Sequence, residues 1–268
     1  QYGYNQNQYK VINVGFYNLE NLFDTLDTPR KLDEEFTPNG SRLYNTAVYT
    51  DKLFRLSSTL SKIGTDISPE GLGIIGVAEI ENRKVLEDLV AQPALKERNM
   101  EIVHYESEDF RGIDVALLYQ PKYLTVINSY PIHVPILNSK GEKIYTRQTL
   151  YVAGIMDGDT VHILVNHWPS RRGGSASDPL RIQAGIINRT VKDSILAVSP
   201  NAKVIVMGDL NDNPTDKSLT EGLKSVGKEK GIKADEMFNP FVSFYKKGIG
   251  TTAYQDAWSL FDQVIISP

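Results

Sequence analysis

Lys203-Val204-Ile205-Val206-Met207-Gly208-Asp209-Leu210-Asn211 and Leu260-Phe261-Asp262-Gln263-Val264-Ile265-Ile266 place their acids at opposite ends of an apolar run. Both runs have the length and β-branched content of a buried strand. In the first the aspartate follows the strand, and in the second it opens it. If Asp209 and Asp262 share one location, the two strands must run antiparallel there. That implies a mixed sheet and excludes a doubly wound parallel one.

Three more apolar runs end as the first does. Val11–Tyr17 leads into Asn18-Leu19-Glu20, Leu72–Ala78 into Glu79-Ile80-Glu81-Asn82, and Val161–Val165 into Asn166-His167-Trp168. Ile113–Tyr119, Tyr151–Ile155 and, more weakly, Leu124–Ser129 complete the predicted strands. Between them, Leu53, Leu56, Leu60 and Ile63 form one face of a helix over roughly residues 48–63. Asp178-Pro179 marks a helix start, continued by Leu180, Ala184, Ile187, Val191 and Ile195. Asn82–Arg98 and Thr215–Val226 are weaker helical candidates. Strands interleaved with amphipathic helices predict an α/β chain of sheets covered by helices.

Composition narrows the possibilities. The 268 residues have no cysteine, which excludes disulfides, Cys-ligated metals and thiol catalysis. A net charge of −4 argues against an architectural nucleic-acid binder, since those carry a basic excess. No apolar run is long enough for a transmembrane helix. Residues 1–9 read as a polar lead-in and 10–268 as one domain. The absence of an initiator methionine agrees with an exported protein, periplasmic or secreted, whose signal peptide has been removed, and equally with an arbitrary boundary.

Each strand-end residue has an ordinary reading of its own. Glu79 could be a solvated acid, Asn18 an Asx-turn residue, Asn211-Asp212-Asn213-Pro214 a turn, His167 a rim histidine and Asp262 the cap of a bend. Five strand boundaries with the same placement make those readings poor in combination. Together they suit hydrolysis of a phosphate ester, which needs charge stabilisation, an activated water and help for the leaving oxygen. Hard oxygen ligands point to magnesium, with manganese as a substitute, and Glu79 and Glu20 are the ligand candidates. Asp209 and Asn211, two apart on an extended segment, would point the same way, toward water and phosphate or metal.

In order along the chain, Asn18-Leu19-Glu20-Asn21, Glu79-Ile80-Glu81-Asn82, Asn166-His167-Trp168-Pro169-Ser170, Gly208-Asp209-Leu210-Asn211-Asp212-Asn213-Pro214 and Phe261-Asp262-Gln263-Val264-Ile265 resemble the motifs of the endonuclease/exonuclease/phosphatase family. The Asn166-His167-Trp168-Pro169-Ser170-Arg171 wording is most similar to bacterial, often exported, members. The resemblance implies a four-layer α/β/β/α sandwich with two mixed, mainly antiparallel sheets. It also implies that Glu79 is the principal metal ligand with Glu20 beside it, that Asn18 and Asn211 contact phosphate and metal, and that Asp209 orients or deprotonates water. His167 would meet phosphate or assist the leaving oxygen, and Arg147 would contact phosphate. The family's closing Ser-Asp-His motif, whose histidine pairs with the aspartate matching Asp262, is not found before Pro268. It is expected in a segment beyond that residue; the alternative is a protein without that last catalytic residue, which would favour a non-catalytic role.

Ser170-Arg171-Arg172-Gly173-Gly174 follows His167 closely, and Arg171 and Arg172 are candidate phosphate contacts, with Arg181 and Arg189 extending a basic track. Three functions stay open: a nuclease on DNA or RNA, which the basic loop favours; a phosphatase or phosphodiesterase on small or lipid-headgroup phosphates; and a non-catalytic binding protein with the same fold. A monomer is expected.

Overall fold

A computed structural model describes residues 10–137, 141–144 and 146–268, so the expected lead-in at residues 1–9 lies outside the described residues. Strands β1 (Asn13–Leu22), β2 (Leu72–Ile80), β3 (Glu101–His104) and β4 (Asp114–Tyr119) form a sheet ordered β1-β2-β4-β3. After β5 (Thr125–Ile132), the short pieces β6 (Ile136–Leu137) and β7 (Lys143–Ile144) pair with each other. Next come β8 (Thr149–Met156), β9 (Asp159–His167), β10 (Lys203–Asp209), β11 (Ser225–Val226) and β12 (Met237–Phe238). A ribbon of β13 (Thr252–Tyr254) and β14 (Ala257–Ser259) precedes β15 (Asp262–Ile266). The second sheet runs β11-β12-β15-β10-β9-β8-β5.

The antiparallel run inferred from Asp262 is present: β10 pairs with β15 antiparallel and with β9 in parallel, so the sheet is mixed. The first sheet is mixed as well, with β1 parallel to β2 and β4 antiparallel to it. Ile74, Ala78, Val115 and Leu117 of one sheet pack against Val152, Ile163, Val165 and Met207 of the other. This is the core between the sheets, where burial of apolar surface supplies most of the driving force.

Each outer face carries helices. α1 (Thr46–Leu60) and α2 (Arg83–Val90) cover the first sheet through Leu53, Leu60, Leu86 and Leu89. Asn45 and Asn82 start these helices by accepting hydrogen bonds from exposed first-turn N–H groups. α3 (Asp178–Val198) lies on the second sheet. Four layers result, α/β/β/α. α4 (Phe241–Lys246) is a short peripheral helix. No helix among the described residues is long and apolar enough to cross a membrane.

Two expectations are corrected. Thr215–Val226 holds one π turn at Ser218–Gly222 and then β11, because Gly222 is pressed against the backbone of α3 at Ile182 and Gly185. Asn82–Arg98 breaks after Val90, resuming only as a 3₁₀ turn at Lys96–Arg98. α3 also buries a more polar face than its apolar stripe predicts: Arg181, Asn188 and Lys192 are inside with Ala184.

Gly208 has a steric reason. It sits beside Asn166 in the β9/β10 pair, and a Cβ there would stand 2.2 Å from the Asn166 carbonyl oxygen. Backbone cannot step aside as a flexible side chain can. Gly208→Ala should therefore cost ~1–3 kcal/mol, read as a lower urea midpoint at unchanged slope.

Candidate active site

The ends of β1, β2, β9 and β10 and the start of β15 meet at one edge of the sandwich. Glu79 sits in a bulge: its φ is 59°, and both β2 ladders slip there. A left-handed non-glycine residue is strained, and such bulges re-aim a side chain where regular alternation would misplace it. β1 bulges too, with φ of 53° and 60° at Glu20 and Asn21. Both strands therefore run past the boundaries expected from the apolar pattern.

Glu79, His167 and Asp209 each offer one ligand atom, all within 4.8 Å of one another. His167 Nε2 lies 3.7 Å from Glu79 Oε1 and 3.9 Å from Asp209 Oδ2. Asp209 is held on both oxygens: Asn18 Nδ2 donates to Oδ2 at 3.0 Å, and the Asn211 N–H donates to Oδ1 at 3.0 Å. Asp262 stands directly opposite Asp209 across the β10/β15 pair. Its Oδ1 is buried and has no hydrogen-bond partner among the described residues.

Burial and neighbouring charge set the protonation states. Burial pushes the Asp209 carboxyl up, the hydrogen bonds from Asn211 and Asn18 oppose it, and Glu79 adds repulsion. Asp262 is pushed up to about 7, by burial first and then by Asp209, despite a hydrogen bond with Thr251, with Glu79 and Glu20 adding to the rise. His167 is held well below its usual value by burial and then by the Arg147 and Arg111 charges, so its imidazole is neutral. Hard carboxylates and a neutral imidazole whose ligand atoms face one space fit a divalent metal ion.

Behind the cluster, Arg147 is fully engaged. It donates to the carbonyls of His167 (3.2 Å) and Trp168 (2.6 Å) and to Asp109 Oδ2 (3.1 Å). Burial alone would raise the Asp109 carboxyl, but Arg147 and Arg111 outweigh it and hold it low. Arg147 thus fixes the strand end that presents His167, and its guanidinium is turned to the protein and not to solvent. Asn166 and Trp168, on either side of His167, are also structural. Asn166 Oδ1 accepts from Thr149 Oγ1, Trp168 Nε1 and Asn188 Nδ2 in a buried network.

A family model described as the endonuclease/exonuclease/phosphatase family matches residues 13–268. The chain belongs to that family. Its members are metal-dependent phosphoesterases, so the chain is a hydrolase of phosphate esters. No curated protein sequence matches it. Among solved structures it is similar to zebrafish (D. rerio) TDP2 complexed with a single-strand DNA product, with TM-score 0.58 and 13% identity over 96% of this chain and 83% of that one. The human nocturnin catalytic domain gives 0.56 and 15%, over 96% and 82%. A Bacteroides thetaiotaomicron mannosyl-6-phosphatase gives 0.58 and 16%, over 96% and 86%. At these identities the likeness shows the fold alone.

Not every residue anticipated for the site is free to serve it. Glu20 is exposed and outside the tight Glu79–His167–Asp209 set, although its charge reaches Asp262. Asn18 Nδ2 is on Asp209 and its Oδ1 accepts from the Glu20 N–H. Asn211 has φ 51°, so its segment turns instead of extending, and Nδ2 donates to the Trp168 carbonyl at 3.0 Å. Arg171 donates to the Asn211 carbonyl, Asp212 and Asp216 and stacks over Phe261. Arg181 is buried on Asp178 and Asp212, and Arg189 donates to the Glu221 carbonyl. Arg172 is exposed. The expected arginine track is therefore mostly spent on bracing the Asn211–Asp216 loop.

Lys52, on α1, was not anticipated. Its Nζ donates to the carbonyls of Glu20 and Asn21, holding the β1 bulge, and burial lowers its pKa against the pull of Glu20 and Glu79. Its sequence neighbourhood shows only a polar helix position, and the pairing is purely tertiary. Asp109 and Arg111, which follow no apolar run, were missed for the same reason.

Asp262 gives a pH prediction for metal-free protein. Its folded pKa of about 7 exceeds the ordinary carboxyl value of 3.8, so between them the native state holds a proton that the unfolded chain releases. Its contribution is fully present below pH 3.8 and lost as pH rises toward 7. With chelator, the stability difference between wild type and Asp262→Asn should grow in the variant's favour across this window and then level off. A flat difference across the window in urea melts would contradict the assignment.

Proposed function

We propose that this protein is a divalent-metal-dependent phosphodiesterase acting on nucleic acid. The observation that carries the metal-dependent part is the like-charge set: Asp209 directly opposite Asp262, with Glu79 within reach of both carboxyls electrostatically. Such an arrangement is repulsive until a cation joins it.

Glu79, with Asp209 and the Nε2 of His167 close by, would hold the ion. A bound magnesium or manganese ion would draw charge from the non-bridging phosphate oxygens. Asp209, oriented by Asn18 and by the Asn211 N–H, is placed to accept a proton from the attacking water. The neutral His167 can donate a hydrogen bond to phosphate, or to the developing oxyanion, from the strand end that Arg147 clamps. Asp262 completes the acidic cluster opposite Asp209, and a bound cation would draw its carboxyl back toward ionisation.

Polynucleotide is favoured by the β13/β14 ribbon. Its root is tied to this edge, since Thr251 Oγ1 accepts from the N–H groups of Phe261 and Asp262. Tyr254 and Trp258 on it are 76% and 60% exposed. Exposed rings beside a phosphate site offer stacking faces to unpaired bases. A small phosphomonoester remains the second reading, because Arg171, Arg181 and Arg189 are engaged within the protein and leave no arginine track for successive phosphates.

Chelator should abolish turnover and added magnesium or manganese restore it. Glu79→Gln should remove most activity. Asp209→Asn should lower kcat by ~10²–10⁴-fold in a protein that still melts cooperatively. Full activity in excess chelator would rule out the metal-dependent reading.

Substrate choice is tested by initial rates on single-stranded oligonucleotide, plasmid DNA and sugar monophosphates over a salt series. Cleavage of the strand should fall steeply with salt. Intact DNA with turnover of a monoester would transfer the assignment to the phosphatase reading.

A further inference from the structure

Immediately after the catalytic turn the chain enters the wall of a second cleft of about 460 Å³, which Pro214 begins and Val226 and Val242 line with apolar surface. That size lies within the range of small-ligand sites. Lys228, Lys230 and Lys246 stand around it. None of the three side chains has a hydrogen bond or ion pair among the described residues. The nearby acids differ: Glu236 is tied to the N–H of Lys233 and faces its ammonium, while Glu229 lies between two of the lysines in sequence without lining the cleft. In a chain of net charge −4, three unpaired lysines around one cavity are a local reversal of sign.

A second observation is independent of the charge. Ser225 lines the same cleft and is 3% exposed, and its Oγ has no hydrogen-bond partner among the described residues. A buried hydroxyl without a partner is costly and uncommon in a folded protein, and a ligand oxygen is one way to satisfy it. An apolar wall, a buried hydroxyl and three free ammonium groups together match a group with a flat apolar ring and a phosphate.

We propose that this cleft is a binding subsite for a nucleotide unit of the substrate strand, flanking the phosphate that is cut. The proposal rests on the polynucleotide reading above. Pro214 is three residues from Asn211, so at 3.8 Å per residue the cleft begins no more than ~11 Å from the catalytic turn. That is about three nucleotide steps at ~3.4 Å each. The lysines would neutralise flanking phosphates, the valine wall would take a base, and the Ser225 hydroxyl would donate to a phosphate or sugar oxygen. None of these groups takes part in bond cleavage.

The test is equilibrium binding of a fluorescein-labelled single-stranded 12-mer to full-length protein in chelator, where no turnover is expected, over a salt series. The Lys228→Ala/Lys230→Ala/Lys246→Ala variant should bind roughly tenfold more weakly at low salt. Its log Kd should lose about 2 units of dependence on log salt, since each phosphate neutralised on a single strand contributes ~0.7. Ser225→Ala should bind more weakly with a Tm no lower than wild type, because the hydroxyl makes no bond within the protein and its burial is a cost. Wild-type affinity and slope in the triple variant would overturn the subsite. If wild type binds the 12-mer through these lysines yet does not cut it with magnesium, the subsite stands and the nuclease reading falls. If wild type neither binds nor cuts it, both fall.

Discussion

Asp209 and Asp262 face each other across an antiparallel pair, in a part of the molecule where burial already disfavours charge on either. Glu79 adds a third carboxylate from the other sheet. Left alone, such a grouping drives its members to protonate or to separate, and here it can do little of the second. The β10/β15 ladder fixes two of the acids, and a bulged, left-handed backbone fixes Glu79. The repulsion is a local cost that a divalent cation would relieve, while the strain at Glu79 is carried by the surrounding fold. Under the metal-dependent reading proposed above, much of the surrounding structure serves to hold these three groups in place for an ion.

Positive charge is kept on the far side of that cluster. Arg147 and Arg111 pair with Asp109 under the strand that presents His167, close enough to depress its imidazole pKa but aimed at backbone and at Asp109. A neutral imidazole can share the space with a metal ion where an imidazolium would repel it. Removing one member of a buried ion pair typically strands an uncompensated charge, so Arg147 and Asp109 stand or fall together. Arg171 and Arg181 do comparable work for the loop after Asp209, bracing Asp212 and Asp216 so that the Asn211 N–H remains on the Asp209 carboxylate. Arginine forks that looked available for substrate are thereby the reason the loop has a definite shape.

The two sheets meet at this edge because their apolar faces have nowhere else to go. Ile74, Leu117, Val165 and Met207 exclude water between the layers, and the strand ends project beyond that core. The edge also joins elements far apart in the chain. Trp168 donates its N–H to the Asp209 carbonyl, Leu210 to that of Phe261, and Leu260 to the Asn213 side chain. The turn after Asp209, the β9 end and the β13/β14 ribbon thus form one hydrogen-bonded rim, which is why an aromatic ribbon can lie beside the candidate site without belonging to either sheet.

What the sequence determined by itself was periodic or directional. Apolar runs of strand length, the stripe of Leu53, Leu56 and Leu60, and the reversed placement of Asp262 are local patterns, and each reports burial or chain direction without needing a partner. They were enough for mixed sheets under helices and for gathering Glu79, His167, Asp209 and Asp262 at one edge. Tertiary structure alone decided which polar groups face that edge and which are consumed in building it. The bulges at Glu20 and Glu79, the turn at Asn211, the burial of Arg147 and Arg181 and the arrival of Lys52 depend on contacts between residues tens of positions apart. A charged side chain has the same appearance in the sequence whether it awaits a ligand or already holds a carbonyl. Only the geometry of its neighbours separates the two.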